Sequence, residues 1–161
     1  MGFLGGVFKK KDLEIGSPCS GVCVSIKDVS DPTFSEEILG KGIAVRPEDG
    51  KFYAPVNGTI NTLFPTKHAI GITSTEGVEV LIHVGLDTVN LKGEHFTTHT
   101  EAGATVSKGD LLLEADLDAI AAAGYDTITP LLICNSGNYA DVVPSVEGKV
   151  SQGDCILRIK I

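Results

Sequence analysis

The sequence predicts an all-β protein, a mostly antiparallel β-sandwich with one or two short helices. Short runs rich in valine, isoleucine and threonine follow one another along the chain and are separated by turn residues. Glycine occurs 19 times and tryptophan is absent. Short strands at regular spacing are typical of sandwiches and barrels. With 161 residues the chain can bury one core without metal or disulfides.

The predicted strands are short apolar runs, most of them rich in valine, isoleucine or threonine. Glycine, proline, asparagine, aspartate and serine, which favour turns, lie at or near the ends of most runs. They include residues 21–26, 42–47, 51–54, 58–64, 68–73, 79–84, 111–115, 129–133 and 155–161.

Two short helices are predicted between the strands. Asp31 is a favourable N-cap residue and a proline follows it, so a helix is expected over 33–39, ending at Gly40. The second helix, near 117–123, begins after Asp116 and ends before a glycine.

Two sequence patterns occur twice, and each precedes a predicted strand. The x-Pro-x-x-Gly pattern stands at 17–21 and 54–58, and Val-Ser-x-Gly-Asp at 106–110 and 150–154. The pairs resemble the halves of a barrel-sandwich hybrid, the architecture of biotinyl and lipoyl domains, here duplicated within one domain. We therefore expect a single domain over 16–161, after a flexible or weakly amphipathic segment 1–15 that is too short to cross a membrane.

Charge and cysteine content exclude several classes of function. The chain carries 13 basic and 21 acidic side chains, a net charge of −8, and such a surface repels nucleic acid. The four cysteines form no C-x-x-C pair, and no signal peptide directs the chain to an oxidising compartment. We expect free, largely buried thiols at Cys19, Cys23, Cys134 and Cys155.

Two histidines stand at the two ends of a predicted hairpin. If the hairpin folds between Thr75 and Glu76, His68 faces His83 and Ile70 lies on the same side of the ribbon. Opposed residues of an antiparallel pair have Cβ atoms about 4.5–5.5 Å apart, so the imidazoles would touch. A slip of one residue would place them on opposite faces.

Such a pair can carry chemistry at neutral pH, because an imidazole keeps an unprotonated nitrogen there. If a backbone carbonyl takes the Nδ1 proton of His83, Nε2 becomes the nucleophile, and His68 could donate a hydrogen bond to a phosphoryl oxygen. On these grounds alone, histidines with only a structural role remain an equal alternative. His95 and His99 lie on a polar stretch, where we expect solvated side chains.

Residues 78–93, with Leu-Ile-His83-Val-Gly-Leu-Asp-Thr-Val at their centre, and the preceding Pro-Thr-Lys-His68-Ala-Ile-Gly identify a family. They closely resemble the glucose-type enzyme IIA domain of the bacterial phosphoenolpyruvate-dependent sugar phosphotransferase system. The likeness runs from about residue 16 to the C-terminus, and also includes 31–34, 40–47, 54–60, 106–110 and 129–130.

The resemblance implies a phosphotransferase component with a phosphohistidine intermediate. His83 would accept a phosphoryl group at Nε2 from the histidine phosphocarrier protein. It would then pass the group to a cysteine of the IIB domain of a glucose-type sugar permease. His68 would stabilise and transfer the group, and Thr66 would orient His68. The residues implied to bind partners are Asp31, Phe34, Ile70, Asp87 and Val89.

The same resemblance implies a cytoplasmic protein that needs no cofactor and touches the membrane only through the permease. Regulatory partners are known in the family but cannot be assigned from this sequence. The sugar is not determined, nor whether the chain stands alone or belongs to a longer permease.

Two other functions were considered. In a zinc hydrolase His83 and Asp87 could be ligands, but a catalytic zinc needs three protein ligands and the chain has no H-x-H. Zinc could still bind His68 and His83 if a partner supplied a carboxylate. In a biotinyl or lipoyl carrier a lysine would stand at the hairpin tip, where this chain has Leu117.

Overall fold

Antiparallel strands are the main regular elements of the computed structural model, which describes residues 12–161. The predicted all-β class with two short helices is confirmed. The strands are β1 (Leu13–Gly16), β2 (Gly21–Ser25), β3 (Lys41–Pro47), β4 (Lys51–Tyr53), β5 (Gly58–Leu63), β6 (Ala69–Ser74), β7 (Glu79–His83), β8 (Phe96–Thr98), β9 (Thr105–Val106), β10 (Leu111–Ala115), β11 (Thr129–Ile133), β12 (Asp141–Pro144), β13 (Gly148–Val150) and β14 (Cys155–Lys160).

The strands form one large sheet and two small ones. The large sheet has eight strands in the order β13-β2-β3-β11-β7-β6-β5-β9. The small sheets have the orders β1-β14-β12 and β4-β10-β8. Buried side chains from all three sheets form one main hydrophobic core. His68 directly precedes β6 and His83 is the last residue of β7. Both strands lie inside the large sheet and are paired on both sides.

The large sheet is buried on both faces near the histidines. Along β11, Leu131 and Ile133 enter the main core, whereas Leu132 lies in a second, smaller cluster on the other face. This alternation follows from the period of two in a strand. Leu81 of β7 packs on the same second cluster, so the alternating residue His83 is carried on that outer face.

The repeated sequence patterns form repeated hydrogen bonds. In one repeat the N–H of Ser17 donates to the Asp154 carbonyl at 2.7 Å and the N–H of Gly153 donates back to Ser17 at 2.9 Å. In the other repeat, Ala54 makes the same two bonds with Asp110 and Gly109, at 2.8 and 2.9 Å. The duplication predicted from sequence is thus present in the backbone.

Both helices exist, and the first is shorter than predicted. Helix α1 covers Pro32–Ser35, and the Asp31 side chain accepts a hydrogen bond from the Thr33 N–H at 3.0 Å. The predicted extension to residue 39 is wrong, because Glu37 adopts a φ of 58°, which no α-helix contains. Helix α2 covers Leu117–Ala122 and begins at the predicted cap.

Two expectations need correction. Strand β1 pairs with β14 and buries Ile15, so the folded domain begins before the predicted residue 16. The other part of the predicted N-terminal segment, 1–11, lies outside the described residues. Cys19 and Cys23 are buried and Cys155 is half-buried, but Cys134 is exposed; all four are free. Within 12–161 no helix has the length and apolar character needed to span a membrane.

Candidate active site

The hairpin that carries the two histidines has a different register from the predicted one. His83 pairs with Ala69, not with His68, and Gly71 pairs with Leu81. The cause is the turn. Gly77 has a φ of 92°, and the Ser74 N–H donates to the Val78 carbonyl at 2.8 Å, which makes a three-residue loop. A glycine in the left-handed region typically ends such a loop and adds one residue to it.

The imidazoles nevertheless touch, so the predicted contact is present although its predicted basis was wrong. The ring centroids of His68 and His83 are 4.8 Å apart with nearly perpendicular planes. His68 precedes the first residue of β6, and Lys67 before it has a φ of 64°. The Val84 N–H donates to the His68 carbonyl at 2.7 Å, so the backbone pairing of the hairpin continues to His68 and holds this residue beside the end of β7.

His83 is oriented by a carbonyl of its own chain segment. Its Nδ1 lies 2.7 Å from the Gly85 carbonyl oxygen. A carbonyl can only accept, so Nδ1 carries the hydrogen and Nε2 keeps its lone pair. Burial lowers the pKa of His83, although the Gly85 carbonyl and the charges of Asp31 and Asp87 oppose this. The ring is therefore neutral at pH 7 and has a nucleophilic Nε2.

His68 is oriented by a hydroxyl group. Its Nδ1 lies 2.8 Å from the Thr66 Oγ1, and Phe64 packs edge-on against its ring at a centroid distance of 5.6 Å. The side chain is only 2% exposed. Burial, assisted by the neighbouring His83, lowers the pKa of His68 from 6.5 to about 4. This ring is also neutral at pH 7.

The residues implied to bind partners occupy different environments. Asp87 and Val89 follow β7 on the surface, and 48% of Val89 is exposed. Phe34 is only 3% exposed; its ring packs against His83 at 4.9 Å, so it supports the imidazole and offers little contact area. Ile70 is fully buried in the main core, and the prediction that it contacts partners is wrong. The one-residue change of register explains why Ile70 does not share the face of His83.

Two residues at the pair were missed by the sequence interpretation, Phe64 and Gly85. Phe64 packs against His68 and keeps 38% of its surface exposed. The available sequence signal for Phe64 was an aromatic residue two positions before Thr66. Gly85 lies in the motif that follows His83, but no role was predicted for its carbonyl, which orients the His83 ring.

The side chains give little support to the two alternative functions, a zinc hydrolase and a biotinyl or lipoyl carrier. Among the residues 12–161, no three His, Cys, Asp or Glu side chains come together as metal ligands, so the set does not fit a catalytic zinc. His95 and His99 are exposed as expected, and His99 bonds Glu114 at 2.6 Å. Leu117, at the position of a carrier lysine, packs against the main core.

Comparisons with known proteins agree with this geometry. A model of the phosphoenolpyruvate-dependent sugar phosphotransferase system EIIA 1 family matches residues 13–139. The β-glucoside-specific EIIBCA component of Dickeya chrysanthemi is 52% identical over 140 residues, which are 87% of this chain and 22% of that protein. The glucose-specific EIICBA component of Streptococcus pneumoniae is 41% identical over 154 residues, which are 96% and 21% of the two chains.

The fold has a solved counterpart as well. The structure of glucose permease IIA from Mycoplasma capricolum superposes with a TM-score of 0.84 at 36% identity, over 92% of this chain and 96% of that one. The chain spans about a fifth of the length of the two curated relatives above. It belongs to the EIIA 1 family of the phosphoenolpyruvate-dependent sugar phosphotransferase system and is a glucose-type EIIA domain.

Proposed function

We propose that this domain relays a phosphoryl group during sugar uptake. His83 accepts the group from the histidine phosphocarrier protein and passes it to a cysteine of the IIB domain of a glucose- or β-glucoside-type permease. The names EIIBCA and EIICBA given to the relatives join an A part to B and C parts, which supports IIB as the acceptor. Such exchange takes place in the cytoplasm and requires no cofactor.

The bond between His83 Nδ1 and the Gly85 carbonyl is the observation that carries this proposal. The Nε2 lone pair of His83 forms the new N–P bond as the N–P bond of the phosphocarrier breaks, and the departing imidazole keeps that electron pair. Positive charge develops on the His83 ring, and the Gly85 carbonyl stabilises it through the Nδ1 hydrogen. In the second step the IIB thiolate attacks phosphorus and His83 recovers its lone pair.

His68 supplies the hydrogen-bond donor for the transferring group. We propose that the Thr66 hydroxyl donates to His68 Nδ1, which leaves the hydrogen on Nε2. The contact of 4.8 Å between the rings brings this donor close to the phosphoryl position on His83. Because His68 carries no positive charge at pH 7, it does not hold the dianionic group as a salt bridge would, which favours onward transfer.

The surface near the pair suits protein partners. Phe64, which packs against His68, and Val89, six residues after His83, expose apolar area, as the core of a protein interface requires. A surface depression of about 780 Å³ is formed by 98–101, 104–106 and 110–111, and neither active-site histidine lines it. The histidines therefore suit contact with a macromolecular donor better than enclosure of a small substrate.

The test is phosphorylation of the purified domain with phosphoenolpyruvate, enzyme I and the phosphocarrier. We expect the intact mass to rise by one phosphoryl group that is lost in acid, and His83→Gln to gain none. The exposed His99→Gln is the matched control and should be phosphorylated normally. Absence of any mass gain with a competent donor system, or phosphorylation of His83→Gln, would refute the proposal.

A further inference from the structure

We propose that the buried hydroxyl group of Thr88 is a positioning group for the phosphoryl acceptor. It holds the turn over residues 84–88 so that the Gly85 carbonyl stays bonded to His83 Nδ1. Thr88 makes this contribution through the backbone of the turn. The inference rests on the proposed function for its catalytic meaning, but its structural part can be tested on the unphosphorylated protein.

The turn contains two residues with a positive φ, of which only the second is unusual for its residue type. Gly85 has a φ of 80° and Asp87 a φ of 59°. A non-glycine residue in the left-handed region is uncommon, and it persists only where surrounding contacts enforce it. Thr88 is fully buried, and its hydroxyl donates to the Val84 carbonyl across this turn. That bond closes the turn between its first and last residues.

Backbone bonds from a distant segment hold the same turn on its other side. The Gly85 N–H donates to the Ile128 carbonyl at 3.1 Å, and the Leu86 N–H donates to the Asp126 carbonyl at 3.0 Å. The Leu86 N–H and the Gly85 carbonyl belong to one peptide group, which is therefore bonded at both ends. Hydrogen bonds in such a chain polarise one another, which strengthens the Gly85 carbonyl as the acceptor for His83.

Val84 connects this turn to the second histidine. Its N–H donates to the His68 carbonyl at 2.7 Å, while its own carbonyl accepts the Thr88 hydroxyl. Loss of the hydroxyl removes this bond from a buried carbonyl, and the turn must move to find another partner. A movement of the Gly85 peptide would weaken the bond to Nδ1 and allow the hydrogen of His83 to move to Nε2.

Thr88 also contributes packing, and its variants must separate this from the hydrogen bond. A Cβ placed on Gly85 would lie only 2.6 Å from the Thr88 Cγ2, so the methyl group packs directly on the glycine. Thr88→Val keeps the shape and removes the hydroxyl. Thr88→Ser keeps the hydroxyl and removes the methyl group. The two variants form a matched pair at a single position.

The experiment records the ¹⁵N chemical shifts of the His83 ring nitrogens in the full chain without any phosphoryl donor. We expect Nδ1–H in the wild type and in Thr88→Ser, and an increased Nε2–H population in Thr88→Val. With the phosphocarrier system we expect Thr88→Val to be phosphorylated about tenfold more slowly, a typical loss for a group that orients a functional ligand. Thr88→Ser should stay within about twofold of the wild-type rate, because its bond is intact.

Three results would overturn the inference: an unchanged tautomer in Thr88→Val, equal effects of the two variants, or a changed tautomer in Thr88→Ser. If the amide spectrum shows that Thr88→Val is unfolded, Thr88→Ala takes its place in the test. Alanine also lacks the hydroxyl group but does not put a second methyl group in its position. Absence of phosphorylation in the wild type would refute the proposed relay. It would leave the tautomer result standing, so the two failures can be distinguished.

Discussion

The two imidazoles of the active site touch each other, yet different groups orient them. His83 bonds the Gly85 carbonyl, which can only accept a hydrogen bond. His68 bonds the Thr66 hydroxyl, which can either donate or accept. His83 is half-buried and lies near two carboxylates, whereas His68 is almost fully buried. One residue type is thus given two chemical roles by its hydrogen-bond partner.

The hydrogen-bond partner determines which nitrogen of each ring carries the hydrogen. A carbonyl on Nδ1 keeps one tautomer of His83 and leaves Nε2 free to attack. A hydroxyl on Nδ1 allows His68 to present a hydrogen at Nε2 towards the phosphoryl oxygens. In the proposed relay the nucleophile and the donor act on one phosphoryl group without a conformational change, because the ring centroids are only 4.8 Å apart.

Substitution of either histidine by glutamine should cause the largest loss of function, and the two losses should occur at different steps. His83→Gln removes the nucleophile, so we expect no phosphoryl acceptance. His68→Gln keeps the nucleophile and loses the imidazole donor, so we expect acceptance from the phosphocarrier but little transfer to IIB. Mass spectrometry measures the first step, and loss of the group on addition of IIB measures the second. If the two variants failed at the same step, the division of roles would be wrong.

Gly85→Ala should have the next largest effect, because it disturbs the partner of His83 alone. An added Cβ would lie 2.6 Å from the Thr88 side chain and 2.9 Å from the Asp126 carbonyl oxygen, at a φ of 80°. Displacement of a reacting group by about 1 Å can cost about 100-fold in rate, and we expect a loss of that order in acceptance.

The control for this substitution is Gly103→Ala. Gly103 has a similar φ of 91° but nothing within 4 Å of an added Cβ. Both variants carry the backbone strain, about 1–2 kcal/mol, but only Gly85→Ala adds the collision. Normal acceptance by Gly85→Ala, or an equal loss in Gly103→Ala, would mean that the Gly85 carbonyl does not position His83. Initial rates of phosphorylation and urea unfolding separate the two effects.

Burial of His68 should make the stability of the fold depend on pH. Its pKa is about 4 in the folded chain and about 6.5 when exposed, so between these values the unfolded chain binds more protons. Stability therefore falls as the pH decreases through this window. By linkage the loss attributable to His68 is about 2 kcal/mol between about pH 7.5 and about pH 5.

Urea unfolding of wild type and His68→Gln at the two pH values checks this expectation. Between the two pH values, the free energy of unfolding of His68→Gln should fall by about 2 kcal/mol less than that of the wild type. The lowered pKa of His83 acts in the same direction, so both proteins keep some pH dependence. An equal loss in the two proteins would show that His68 titrates normally in the folded state.

The sequence predicted the strands and the histidine contact better than it predicted the pairing of the strands. Runs of alternating residues locate a strand, but the register depends on the turn, and Gly77 adds one residue through a φ of 92° that no hydrophobic pattern reveals. The wrong prediction that Ile70 shares the face of His83 follows from this extra loop residue, because side chains along a strand alternate between the two faces. The short strands β1, β8, β9, β12 and β13 were not predicted because two to four residues carry no clear alternation.

The site was predicted from motifs, and its supporting contacts were not. The Gly-Leu-Asp-Thr-Val sequence after His83 identified the family, but the bonds from 126–128 to this turn join segments that lie about 40 residues apart. No local pattern connects such segments. The sequence likewise suggested that a carbonyl could hold Nδ1 of His83, and only the folded turn identifies Gly85 as its source.

Thr66→Val should have the smallest effect and should change only the His68 side of the comparison. Valine keeps the shape of threonine but cannot bond Nδ1, so the hydrogen of His68 is no longer directed to Nε2. We expect transfer to IIB to slow by about tenfold while acceptance from the phosphocarrier changes by less than about twofold. Thr66→Ser, which keeps the hydroxyl, is the matched control and should transfer normally. A loss in acceptance equal to the loss in transfer would mean that Thr66 supports the whole site, because a group that acts only through His68 cannot weaken the nucleophile that Gly85 holds.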